Sequence, residues 1–251
     1  VYGQFVPHHF SFSSIRTYLE CPQKYAYKYV DGQELFEDTK ATIFGKAFHE
    51  GLEQYYRGND YRRPLMTGIW RWVKVGKLTQ SDYESLVRMG DAMMAEVKRS
   101  GRRYEVQATE KMYELDLKHP MGGRPLPVKF KCFIDLTTET DIVDHKTVSK
   151  VDFETPEKKA EYDMQLDLYS MLFRTINGKE AKRLSIQAIL KRMKKTSIEY
   201  YDQSPDLMRE VMLYERIRWI LGRIMKMDFM PMHSPESCRY CRMRAEYLAR
   251  K

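Results

Sequence analysis

Two apolar stretches joined by a short polar link, with charged groups at the end of each, constrain this chain most. Residues 128–136 alternate apolar and polar side chains and reach Asp135, and residues 141–147 repeat the pattern and carry Asp144 and Lys146. A period of two is the signature of a strand with one covered face. The link, residues 137–140, is short enough for an antiparallel hairpin. Alternation then sends Asp144 and Lys146 to one face and the His145 side chain to the other.

The flanking chain predicts what this hairpin packs against. Residues 11–30 read as two short helical pieces split by Pro22, with Ser13 or Ser14 as the cap. Residues 41–56 read as a helix whose stripe is Phe44, Phe48, Leu52 and Tyr55, and residues 81–98 as another, capped by Ser81. A strand over 104–117 precedes a Pro- and Gly-rich turn at 120–127. After the hairpin come a helix over 156–175, strands over 184–190 and 196–201, and a helix over 204–227. The pattern predicts one compact α/β domain over residues 1–251: 1–100 mainly helical, 101–201 the central mixed sheet with its helix, and 202–251 a basic helix and cysteine-bearing tail. Helices flank the sheet.

Charge is unevenly spread. Of the 43 Lys and Arg and 35 Asp and Glu, residues 181–251 hold 16 and 8, the whole net excess of +8. A basic segment beside a neutral one suits a polyanion, because phosphate neutralisation releases counterions. It suits a plain solvated surface equally. No stretch approaches the ~20 apolar residues of a membrane helix. With four cysteines and no basic-then-apolar start, the expected compartment is the reducing cytoplasm.

Asp135 and Asp144 beside an apolar core repel each other unless a cation neutralises them, and Mg²⁺ or Mn²⁺ suits such oxygen donors. The His145 carbonyl is a further oxygen. Lys146 is placed to orient or help deprotonate an attacking water, or to stabilise charge developing on a phosphate. An Asp-x-Lys pair alone also arises as a solvated ion pair.

Five separated motifs in order alter that balance. They are Phe12 to Tyr27 with its Cys21-Pro22, Phe44-Gly-Lys-Ala-Phe-His-Glu50, Ile134-Asp135, Asp144-His-Lys146 and Gln165-Leu-Asp-Leu-Tyr169. Together they resemble the RecB-type branch of the PD-(D/E)XK nuclease superfamily. The resemblance implies an αβββαβ restriction-endonuclease-like core and metal-dependent phosphodiester hydrolysis. It implies that His49, Asp135, Asp144 and the His145 carbonyl hold Mg²⁺ or Mn²⁺, that Lys146 assists the water, and that Gln165 and Tyr169 lie beside the catalytic strands. Glu110, near the start of the strand before the hairpin, reads as an outer carboxylate or a solvated strand residue. Gly45, four residues before His49, allows close backbone approach.

In the resembled family one amino-terminal and three carboxy-terminal cysteines often hold a 4Fe-4S cluster that ties the chain ends together. Cys21, Cys238 and Cys241 match three of these positions, and Tyr247 stands at the fourth. An incomplete cluster, a site completed by His233 or by a ligand beyond Lys251, a zinc site, and reduced cysteines without metal all remain open. Cys132 is expected to point into the body.

The function so implied is a DNA exonuclease on single-stranded ends, similar to small CRISPR-associated and phage recombination nucleases and working in recombination, repair or phage and CRISPR DNA processing. No phosphate-binding Gly-x-x-x-x-Gly-Lys-Ser/Thr loop occurs, so the chain is expected to need a free end or a partner helicase. Lys158, Lys159, Lys191, Arg192, Lys194 and Lys195 are candidates for phosphate contact, with Tyr200, Tyr201, Tyr214 and Trp219 as possible stacking rings. The alternatives are a non-catalytic nucleic-acid-binding adaptor on the same fold and a structure-specific endonuclease.

Overall fold

The computed structural model describes residues 5–7, 10–33, 38–232 and 238. The helices before the sheet are α1 (Phe12–Glu20), α2 (Pro22–Tyr25) running into a π-turn (Ala26–Val30), α3 (Lys40–Tyr56), α4 (Arg62–Lys74) and α5 (Gln80–Ser100). Then follow β1 (Ala108–Asp116), β2 (Lys129–Thr137), β3 (Asp141–Val148), α6 (Pro156–Asn177), β4 (Arg183–Leu190), β5 (Ile198–Gln203) and α7 (Leu207–Met225). The strands hydrogen-bond in the order β1-β2-β3-β4-β5. β2 and β3 form the expected antiparallel hairpin, with Leu136 opposite Val143. β3 and β4 run parallel, which needs the long crossover that α6 supplies. β4 and β5 are antiparallel.

The chain packs as two compact units, Asp38–Met112 with Phe133–Pro205, and Val1–Glu37 with Tyr113–Cys132 and Asp206–Lys251. In the first, Phe44 and Phe48 of α3, Leu65 and Ile69 of α4, Met93 and Met94 of α5 and Ile189 of β4 share one buried core. In the other, α1 packs on α7. There the Tyr18 hydroxyl donates to the Asp228 carbonyl at 2.9 Å, and Tyr25 stacks on Phe229 with centroids 5.9 Å apart. The amino-terminal helices are thus tied to the segment that follows α7.

Several boundaries differ from the sequence expectation for local reasons. The cap of α1 is Ser11, not Ser13 or Ser14: its side chain accepts from the Ser14 amide while the Ser14 hydroxyl covers the Ser11 amide, a reciprocal capping box. Thr79, not Ser81, caps α5 through the same exchange with Asp82. β1 begins at Ala108 rather than 104. α4 was not anticipated, since Pro64 and the basic Arg62, Arg63, Arg71 and Lys74 mask its Leu65, Gly68, Ile69 stripe. Proline is tolerated there because the first turn has no intrahelical partner for its missing N–H.

Candidate active site

The site residues come from β1, β2, β3, α3 and α6, and all of them fall in the unit formed by Asp38–Met112 and Phe133–Pro205. Continued one step, the hairpin register sets Asp135 opposite Asp144. The His145 amide donates to Asp135 Oδ2 at 2.7 Å, so this carboxylate is held by the neighbouring strand's backbone. From α3, His49 brings Nδ1 to 3.7 Å from Asp135 Oδ2 and 3.5 Å from Glu110 Oε1. Donor atoms of His49, Glu110 and Asp135 all lie within 4.8 Å of one another.

Glu110 is therefore in the group itself, closer than the outer position read from sequence. Its φ of +46° is a left-handed conformation that a non-glycine residue in a strand adopts at a cost. No sequence pattern announces that kink. Gly45 sits where an added Cβ would touch Thr147 Oγ1 at 3.4 Å, so α3 runs close to the end of β3, as the glycine suggested.

Asp144 is 3% exposed and is held from two sides. Lys146 Nζ lies 2.7 Å from its Oδ2. Its Oδ1 accepts from Gln165 Nε2 at 2.7 Å and from the Tyr169 hydroxyl at 3.1 Å, while Gln165 Nε2 lies 3.0 Å from that hydroxyl. Gln165 and Tyr169 are one helical turn apart on α6, which is why both reach one carboxylate. His145 points to the opposite face, buried and stacked on Tyr56 of α3 with centroids 5.3 Å apart and planes at 5°. Tyr56 carried no signal in the sequence reading.

The electrostatics follow from this crowding. Burial, then the Asp144 charge, pushes Asp135 well above the usual carboxylate range. Burial alone would pull Lys146 down, but Asp144 and Asp135 outweigh it and hold the amine above the ordinary lysine value. For His49 too, burial works downward, and Asp135 and Glu110 raise it overall. His145, by contrast, is driven down to about 3 by burial and the nearby His49, so it is neutral at physiological pH. A buried carboxylate pushed up in this way, with two further carboxylates and an imidazole near it, belongs to a donor set that a divalent cation would relieve.

The basic candidates are spread along the same unit. Lys158 pairs with Glu161 at 2.9 Å and Lys159 is exposed on the first turn of α6. Arg192, Lys194 and Lys195 are exposed on the β4–β5 hairpin, whereas Lys191 is half-buried and lowered by that burial. Of the proposed stacking rings, Tyr214 is in the core and Trp219 is 59% exposed. Tyr200 lies under the Arg102 guanidinium, and the Tyr201 hydroxyl bonds Asp163 at 2.5 Å.

In the other unit, the Met232 amide donates to Cys21 Sγ at 3.4 Å, and Cys238 is half-buried. Cys241 and His233 lie outside the described residues. Cys132 is buried, as expected, and burial pushes its thiol up to about 12. No described helix is long and apolar enough to cross a membrane.

A five-stranded mixed sheet flanked by helices, with two acids and a lysine meeting at the β2–β3 hairpin, is the architecture of a nuclease. The chain belongs to the PD-(D/E)XK nuclease superfamily, whose family model matches residues 9–245. No curated protein matches the sequence. Among solved structures, a candidate exonuclease of Eubacterium rectale aligns with a TM-score of 0.65 at 15% identity, over 93% of this chain and 88% of its own. The structure of SSO0001 aligns at 0.43 and 15% identity, over 94% of this chain and 84% of its own. The family model and the Eubacterium rectale structure agree with the expected mixed α/β nuclease fold, and a nuclease fold implies a nucleic-acid substrate.

Proposed function

We propose that the chain is a divalent-metal-dependent deoxyribonuclease of the RecB-type branch that removes nucleotides from single-stranded DNA ends. The observation that carries this reading is the meeting of Asp135, Asp144 and Lys146 with His49 and Glu110 on one unit. His49, Glu110, Asp135, Asp144 and the His145 carbonyl would hold Mg²⁺ or Mn²⁺. When bound, such an ion supplies a positive charge that polarises the scissile phosphate and acidifies water.

The chain's own residues have separable tasks. Gln165 and Tyr169 fix one oxygen of Asp144, so its other oxygen faces Lys146 in a single orientation. Lys146, held above the ordinary lysine value, keeps its proton and acts as a fixed cation for charge developing on the phosphate. The His145 amide holds Asp135 through Oδ2. Preference for free single-stranded ends rests on the sequence resemblance.

The test uses end-labelled single-stranded, duplex and circular DNA with Mg²⁺ or Mn²⁺. Wild type should degrade linear single strands. Lys146→Met should lose about 10²- to 10³-fold in kcat while calorimetry shows retained Mn²⁺ binding. Cleaved circles would make the enzyme an endonuclease. Intact DNA that is nevertheless bound would make it an adaptor.

A further inference from the structure

Along β2 the side chains alternate sharply: Cys132, Ile134 and Leu136 are 6%, 1% and 0% exposed, whereas Phe133 between them is 54% exposed. Period-two geometry puts Phe133 on the same face as Asp135, two residues further on. The step between them is about 6.6 Å, similar to the spacing of successive phosphates along an extended strand. Its backbone is fixed as well, because the Phe133 carbonyl lies 3.3 Å from the Tyr169 hydroxyl that also reaches Asp144. Met112, two residues beyond Glu110 on β1, is 47% exposed. Large apolar side chains thus stand in solvent on the strands that carry two of the site's carboxylates.

We infer that Phe133 is the stacking platform for the base next to the scissile phosphate, and that this ring sets a preference for unpaired over duplex DNA. The inference rests on the nuclease reading above and gives it a source of strand selectivity. A phosphate held by Lys146 and by the cation that Asp135 would help bind brings its adjoining base within reach of the ring. An unpaired base can leave its neighbours and lay a π-face on phenylalanine, and such stacking tolerates any base. A paired base inside a duplex offers no free face.

Binding is measured by fluorescence anisotropy with Ca²⁺ in place of Mg²⁺, so that DNA is held without turnover. Phe133→Ala should weaken binding of a short single strand by about 5- to 100-fold. Duplex binding and Mn²⁺ affinity should be unchanged, and Phe133→Trp should retain single-strand affinity. For a wholly abasic oligonucleotide, wild type and Phe133→Ala should bind alike. The proposal is overturned if Phe133→Ala binds single strands within twofold of wild type, or if it loses single strands and duplex equally. A wild type that binds and cuts DNA while Phe133→Ala behaves normally sinks only the platform. A wild type that binds Mn²⁺ but no nucleic acid sinks the nuclease reading and the platform with it.

Discussion

At the scale of single residues, the site is built from groups whose preferred charge states conflict, and His145 makes that measurable. Its ring is 2% exposed, stacked on Tyr56, and its pKa falls to about 3 because burial, and then His49, oppose the charged form. The unfolded chain binds a proton below about 6.5 and the folded ring does not. This contribution to stability is therefore complete above about pH 6.5 and lost as pH falls toward 3. His145→Phe keeps a stacked ring and removes the titration. Wild type should lose roughly 3 kcal/mol relative to that variant between pH 6.5 and 4, read from urea unfolding of metal-free protein. Parallel curves would mean that the imidazole is not buried in the folded state. The shift of Asp135 has the opposite sign, with stability lost as pH rises through its elevated value, and it is common to both proteins. The Asp-x-Lys spacing made Asp144, Lys146 and the opposite face of His145 legible in sequence. Glu110's closeness to His49 was not, because it depends on one positive φ.

At the scale of elements, α3, α4 and α5 approach closely through glycines. A Cβ at Gly68 would lie 2.8 Å from Ala47 Cβ and 3.2 Å from its Cα, atoms that cannot move without moving the helix. A Cβ at Gly90 would meet Leu65 Cδ2 at 2.5 Å, the far end of a side chain that can change rotamer. Gly68→Ala should therefore destabilise by about 1–3 kcal/mol despite the better helix propensity of alanine. Gly90→Ala should stay within about 1 kcal/mol of wild type, both measured by thermal unfolding. Equal losses would show that α4 gives way as readily as a side chain. Strands and the longer helices were readable because one-sided burial writes a period into the sequence, as in β2 with Phe130, Cys132, Ile134 and Leu136. Caps were misplaced by two or three residues because neighbouring hydroxyls, such as Ser11, Ser13 and Ser14, compete for the role and only backbone geometry decides. α4 was hidden because its buried stripe is short, Leu65, Gly68 and Ile69, with a glycine in the middle and Pro64 and four basic residues around it.

At the scale of the whole molecule, the sequence suggested a basic lobe on a neutral body, and the structure divides it differently. The strongly basic final 71 residues are shared out, with residues 181–205 in the unit that holds the site and residues 206–251 in the other; counted over whole units, the net charges are +3 and +5. Polyanion binding is thus not assigned to one unit by charge. One cluster of positive charge in the site's unit is the β4–β5 hairpin, where Arg192, Lys194 and Lys195 are exposed while the half-buried Lys191 bonds the Val148 carbonyl through its amide at 2.7 Å. β4 pairs directly with β3, Lys146 lying opposite Ala188, so the first of the exposed cations, Arg192, comes four residues after the strand position that faces Lys146. If single-stranded DNA crosses this hairpin on its way to Asp144, each phosphate contact releases counterions and steepens the salt dependence by about 0.7. Replacing Arg192, Lys194 and Lys195 with glutamine should lower the slope of log affinity against log salt by up to about 2, with no change in Mn²⁺ binding. An unchanged slope with reduced affinity would point to a distorted hairpin, and an unchanged slope with unchanged affinity would route the strand away from it. The same titration on Phe133→Ala should shift affinity without altering the slope, because stacking neutralises no phosphate. The two variants together separate the charge that gathers DNA from the ring that selects an unpaired base.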